Sequence, residues 1–141
     1  AVKKTKHLAK KKSIKVAVTT VQATVWGNEE NLTELFVILL DNAIKYSDPK
    51  SSVTAKMDVK DKTATVTVQD HGRGIAKQDL PHIFDRFYRT DAARSTQNHN
   101  GYGLGLSIAQ NIAARHTGEL TATSEVSKGS IFSLRLPVKN A

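Results

Sequence analysis

SVTAKMDVK (residues 52–60) and TATVTVQ (residues 63–69), separated only by Asp61-Lys62, are the stretch on which the fold turns. Val53, Ala55, Met57 and Val59 alternate with other residues, and so do Ala64, Val66 and Val68. A period of two puts one apolar face on each strand, so the pair predicts a hairpin whose apolar side needs a covering layer. The cover lies immediately upstream. Leu32, Leu35, Phe36, Leu39, Ala43 and Ile44 recur at helical spacing as far as Tyr46. Asn28 is placed to cap that helix, Glu29 and Glu30 suit its first turn, and Ser47-Asp48-Pro49 stops it.

Further out, residues 13–20 alternate as a strand through Ile14, Val16 and Val18, and residues 21–26 are expected to form a second short one. Downstream come a turn at residues 70–74, a short helix or turn near residues 77–80, and a polar run (TDAARSTQNHN, 90–100) expected to be a mobile loop. A second helix runs to His116, with Gly118 as its C-terminal turn. Residues 119–125 and 130–137 close the chain as another hairpin around Ser127-Lys128-Gly129. Hairpins with few helices imply an α+β, two-layer sandwich: a mixed, mostly antiparallel sheet with helices on one face.

Composition sets outer limits. At 141 residues the chain forms one ordinary core, and 39% apolar content suits a globular domain. No apolar run approaches the roughly 20 residues of a membrane span, and no signal-peptide pattern appears. Without cysteine there are no disulfides and no thiolate metal sites, which fits a cytoplasmic setting. The net charge of +8 is concentrated at one end. Seven of 21 basic residues precede residue 16, leaving 14 basic against 13 acidic in the remainder. A charged terminal segment is a solvated end or connector, so no nucleic-acid partner is expected.

Four separated pieces carry chemistry. Gly101-Tyr102-Gly103-Leu104-Gly105-Leu106 opens a helix, where backbone N–H groups without internal partners favour anions. It is a phosphate-binding loop or a packing turn. It is neither a P-loop, lacking the Lys-Ser/Thr pair, nor a dinucleotide loop. Asp41-Asn42-Ala43-Ile44-Lys45-Tyr46 puts a neutral oxygen, an ammonium and a phenol at the end of the long helix. They form the rim of a cavity or a solvated helix end. Asp70-His71-Gly72-Arg73-Gly74-Ile75 offers a carboxylate at a strand end, for an exocyclic amine or for an ordinary turn. Residues 83–89 (IFDRFYR) bring aromatics and arginines to the start of the polar loop.

In order and spacing these pieces resemble the boxes of the ATP-binding catalytic domain of bacterial sensor histidine kinases. That domain belongs to the superfamily of gyrase, the mismatch-repair MutL protein and the 90-kilodalton heat-shock chaperone. Asn42 falls in the N box, Asp70-x-Gly72-x-Gly74 in the first glycine box, residues 83–89 in the F box and residues 101–106 in the second glycine box. The resemblance covers residues 13–138. It implies a Bergerat-type sandwich with ATP and Mg²⁺ as cofactors. By that resemblance Asp70 binds the adenine amine, with Ile75 and Leu106 lining the base. Asn42 holds Mg²⁺, and Lys45, Tyr46 and Arg89 meet phosphates or ribose. Asn42, Lys45 and Arg89 form the catalytic set. Gly72 and Gly74 shape the base pocket, and Gly101, Gly103, Leu104 and Gly105 let the lid, residues 90–100, pack over the triphosphate. Ser130 touches the adenine region through water.

One position departs from the pattern. Ile38 stands one turn before Asn42, where the family usually carries asparagine and the gyrase-like relatives a glutamate that activates water. Isoleucine cannot serve as a base, and Glu34 lies about 12 Å from Asn42 along the axis. Transfer to an outside nucleophile is therefore expected rather than hydrolysis. The resemblance implies a histidine as acceptor, and none of the five here is followed by the acid that role needs. Residues 1–12 are then the tail of a linker from a missing dimerisation domain, and residues 13–141 the catalytic domain. The expected partners are that histidine-bearing domain of the same kinase and a response regulator. The isolated domain is expected to be a monomer, attached to a membrane only through other parts of its parent. An anti-sigma-factor-type serine kinase, or a regulatory nucleotide-binding module without catalysis, are the alternatives.

Overall fold

The computed structural model describes residues 2–86 and 105–139. Helix α1 (Val2–Lys12) leads into strand β1 (Lys15–Thr19), and the long helix α2 (Glu29–Tyr46) follows. The hairpin β2 (Ser52–Lys60) and β3 (Thr63–Gln69) comes next, then a 3₁₀ turn at Leu80–His82. Helix α3 (Gly105–Arg115) and the hairpin β4 (Glu119–Glu125) and β5 (Gly129–Pro137) complete the order. The five strands form one sheet, β1-β2-β3-β5-β4. Only β1 and β2 are parallel, and every other pair is antiparallel. The expected two-layer α+β sandwich is the observed one.

Local sequence explains most boundaries. The Asn28 side chain accepts a hydrogen bond from the Asn31 N–H at 3.0 Å and caps α2, with Glu29 and Glu30 in the first turn. Asp61 and Lys62 both take positive φ, as a two-residue I′ hairpin turn demands. Cross-strand pairs Ala55 with Val68 and Met57 with Val66 turn inward together. Leu35, Leu39, Leu40, Ala43 and Ile44 of α2 close over Val53, Val66, Val68, Phe132 and Leu134 of the sheet, with Ala109, Ile112 and Ala113 of α3 alongside. Ile83 is buried there too, and Phe84 meets the Phe132 ring edge-on at 6.2 Å.

Three local expectations change. Residues 21–25 form no strand. Their carbonyl at Thr24 accepts instead from the Lys139 N–H at 2.6 Å, beyond β5, and the outer edge of β1 stays without a partner strand among the described residues. Val59, one step from the hairpin turn, stays 37% exposed and outside the core. The left-handed residue ending α3 is Thr117 (φ 58), not Gly118, whose N–H bonds back to the Ala113 carbonyl at 2.8 Å. The lysine-rich start is a helix, and Thr5 and Ala9 of α1 are buried.

Candidate nucleotide-binding site

The site is built where β3 ends beside the last turn of α2. Asp70 follows β3 and is only 5% exposed. Its Oδ1 accepts hydrogen bonds from the Gly72 N–H (3.1 Å) and the Ser130 N–H (3.2 Å), and its own N–H donates to the Ser130 carbonyl (2.9 Å). Oδ2 has no partner among the described residues. Burial pushes the carboxyl above its ordinary pKa, and the two backbone N–H groups pull it back in part. One oxygen is thus fixed and the other left unbonded among the described residues.

Two glycines make that placement possible. A Cβ on Gly129, where φ is +118°, would lie 2.2 Å from the Asp70 carbonyl oxygen. A Cβ on Gly72 would lie 1.9 Å from the Tyr46 carbonyl oxygen, since Gly72 pairs with Ser47 in an isolated antiparallel bridge. The loop after Asp70 is stitched to the β4–β5 hairpin. The Ile75 N–H donates to Ser124 Oγ at 2.7 Å and the Ser127 N–H to the Arg73 carbonyl at 2.8 Å. Ser124 Oγ donates in turn to the Gly129 carbonyl (3.0 Å) and lies 2.7 Å from Ser130 Oγ. With the Ser124 proton committed to Gly129, the Ser130 hydroxyl is the donor of that pair.

The other side of the site is α2. Asn42 and Lys45 are half-buried, and the Asn42 amide has no hydrogen-bond partner among the described residues. Lys45 Nζ lies 3.8 Å from Asp41, a loose pair on one helix face. The Tyr46 ring carries the Arg73 guanidinium at 5.6 Å from its centroid. Ile38, one turn before Asn42, is the nearest neighbour of the first residue of α3, 3.5 Å from where a Gly105 Cβ would stand. Ile75 and Leu106 pack at the margin of the core, and Glu34 is exposed.

Asp70, Gly72, Ile75 and Ser130 therefore form one hydrogen-bonded unit through Ser124, with Tyr46 joined to it through Gly72 and Arg73, while Gly74 (φ 73) is pressed against the Glu125 backbone. Asn42 and Lys45 stand within the last two turns of the same helix, and Gly105 and Leu106 open α3. Arg89, Gly101, Gly103, Leu104 and the lid at 90–100 lie outside the described residues. His71 donates to or accepts from none of this, its Nδ1 bonding instead to the Ser52 carbonyl at 2.9 Å. Ser124 and Gly129 belong to the site, although sequence pattern marked them only as parts of a hairpin.

A buried strand-end carboxylate thus stands beside the end of a helix whose Asn42 amide has no partner among the described residues. Comparison with known proteins gives this arrangement its family. Residues 27–140 match the model of the histidine kinase-, DNA gyrase B-, and HSP90-like ATPases, and the chain belongs to that family. It is 44% identical over 113 residues to the sensor histidine kinase RppB of Synechocystis sp., covering 80% of this chain and 25% of RppB. It is also 44% identical over 101 residues to the signal transduction histidine-protein kinase ArlS of Staphylococcus aureus, covering 72% of this chain and 22% of ArlS. The chain thus spans about a quarter of the length of these relatives. Among solved structures, a mycobacterial sensor histidine kinase, MprB, superposes with a TM-score of 0.86 at 28% identity, over 99% of this chain and 93% of that one. No helix among the described residues is long and apolar enough to cross a membrane.

Proposed function

We propose that this domain binds ATP with Mg²⁺ and transfers the γ-phosphoryl group to a histidine on a separate dimerisation domain of the same kinase. From there the phosphoryl group would pass to an aspartate of a response regulator. The observation that carries the proposal is the divided Asp70 carboxylate, with one oxygen held by two backbone N–H groups and the other open. An acceptor-only oxygen in a buried pocket selects the exocyclic amine of adenine over the carbonyl that guanine presents at the same place. The histidine-kinase names of the relatives favour histidine over serine as the acceptor.

In this account Ile75 and Leu106 flank the base, while Gly72, Gly74 and Ser130 hold Asp70 and its loop in shape. Lys45, Tyr46 and Arg89 would meet phosphates or ribose, and Gly101, Gly103, Leu104 and Gly105 would close over the triphosphate. No cluster of three or more His, Cys, Asp or Glu side chains suited to a metal exists among the described residues. The Asn42 oxygen, without a partner among the described residues, nonetheless fits Mg²⁺, which takes few protein ligands and fills its remaining positions with phosphate oxygens and water. When bound, the ion would neutralise charge on the transferring group. Ile38 presents only an apolar surface beside α3, so no side chain there prepares a water for attack.

The test adds the purified histidine-bearing domain and γ-labelled ATP to this chain. Acid-labile, base-stable label on the partner is expected. Label appearing as free phosphate, or as an acid-stable ester, would overturn the proposal.

A further inference from the structure

The last turn of a helix leaves its carbonyl groups without N–H partners, and the end of α2 meets this need with a side chain from another helix. Lys12, the last residue of α1, places its Nζ 3.0 Å from the Ile44 carbonyl, 2.8 Å from that of Lys45 and 2.8 Å from that of Ser47. An ammonium has three protons, and here all three have acceptors. Its positive charge also sits at the negative end of the α2 dipole. The backbone at Lys12 is fixed independently: its carbonyl accepts from the Lys50 N–H at 3.1 Å, and buried Ala9 accepts from the Ile14 N–H at 2.9 Å.

The turn that Lys12 holds is the one that bears the metal and phosphate side chains. The Lys45 carbonyl is itself one of the three acceptors in this clamp, and Asn42 lies less than one turn before it. The opposite side of the same turn is pressed against Gly72 and, through Tyr46, against Arg73. So the end of α2 is gripped between α1 and the loop that carries Asp70.

We infer that Lys12 is a positioning residue for the phosphate and metal end of the nucleotide site, transmitting the placement of α1 to Asn42 and Lys45. The inference rests on the nucleotide-site proposal above. Burial and the neighbouring Arg73 push the Lys12 pKa down, with Asp48 opposing them, so the ammonium is held there against a desolvation cost. A group retained at such a cost, and bonded only to the turn that orients the site, acts on position.

The experiment titrates ADP, with Mg²⁺ and separately with EDTA, into the wild-type chain, Lys12→Met and Lys12→Arg. Lys12→Met should weaken ADP binding with Mg²⁺ about tenfold, and binding in EDTA by a smaller factor, since only the Lys45 contact to phosphate survives without the metal. Lys12→Arg, which keeps charge and donors, should recover most of the loss. Unchanged binding with Mg²⁺ in Lys12→Met, or equal weakening with and without Mg²⁺, would overturn the inference. A measurement on the wild type stands if Lys12→Met does not fold. The Lys12 ammonium resonance should shift on addition of ADP with Mg²⁺ and much less with ADP in EDTA, and equal shifts would refute the positioning role. A wild type that binds no ADP at all overturns the nucleotide site itself. Normal wild-type binding with an indifferent Lys12 removes only this inference.

Discussion

The proposed base end and the proposed phosphate end of the site are built in opposite ways. Around Asp70 nearly every polar group is satisfied: its Oδ1, the Gly72, Ile75 and Ser130 N–H groups and both serine hydroxyls have partners. Around Asn42, among the described residues, the amide is unpaired and the Lys45 ammonium makes only a 3.8 Å contact with Asp41. A pocket bonded at all but its recognising oxygen would take a rigid base at little cost in ordering. An open edge can accept an ion and phosphates whose geometry changes during transfer. In the proposed site, selectivity would thus be concentrated at one end and chemistry at the other.

The largest effect should come from Asp70→Asn. The amide keeps the oxygen that accepts from Gly72 and Ser130 but turns an N–H₂ toward the adenine amine. Loss of ADP affinity of about a hundredfold or more is expected by calorimetry. Stability should move the other way. Because the folded-state pKa of Asp70 is raised, its contribution is fully present below the ordinary carboxylate value and is lost as pH rises through the folded value. The melting temperature of Asp70→Asn should therefore match the wild type in acid and exceed it at pH 7. A variant less stable than the wild type at pH 7 would show that ionised Asp70 supports the fold.

Gly129→Ala comes next. Its Cβ meets a backbone oxygen at 2.2 Å in a conformation that L-residues avoid. Destabilisation of about 2 kcal/mol or more is expected from denaturant unfolding, with ADP binding weakened because the strain falls on Asp70. Wild-type affinity in a folded Gly129→Ala would separate the hairpin from the base pocket.

Ser124→Ala should have a smaller effect at the same end. It leaves the Ile75 N–H and the Ser130 hydroxyl without their partner, at about 1–2 kcal/mol of stability and a few-fold in ADP affinity, equal with and without Mg²⁺. A loss confined to the Mg²⁺ condition would place Ser124 on the wrong side of the comparison. Smallest is His116→Ala. Its ring bridges the Ile112 carbonyl at 2.8 Å and the Asn28 N–H at 3.0 Å, tying α3 to the start of α2. About 1 kcal/mol of stability should be lost with ADP affinity intact.

What the sequence disclosed follows the same divide between local and distant causes. The β2–β3 hairpin, the Asn28 cap and the apolar stripe of α2 are set by residues within a few positions of one another, and all were legible. Asp70, Gly72 and Gly74 were legible as a box, since a carboxylate between a strand and two glycines is a local pattern. The dependence of Asp70 on Gly129 and Ser130 spans about 60 positions and rests on strands three elements apart, so a turn glycine concealed a site residue. Lys12 reaches α2 across more than 30 positions, and one lysine among seven near the start carries no mark of that task. Residues 21–26 misled for a related reason: their alternation suits a strand, but the contact they make, with Lys139, lies more than 100 positions away.

The central claim is that one end of the site holds the base and the other the metal. It is tested most directly by measuring ADP affinity of Asn42→Ala and the wild type, each with Mg²⁺ and with EDTA. Wild-type binding should tighten with Mg²⁺. Asn42→Ala should lose that gain, about tenfold, and match the wild type in EDTA. Equal affinities for the two proteins in Mg²⁺, or an equal loss in both conditions, would contradict the division of the site.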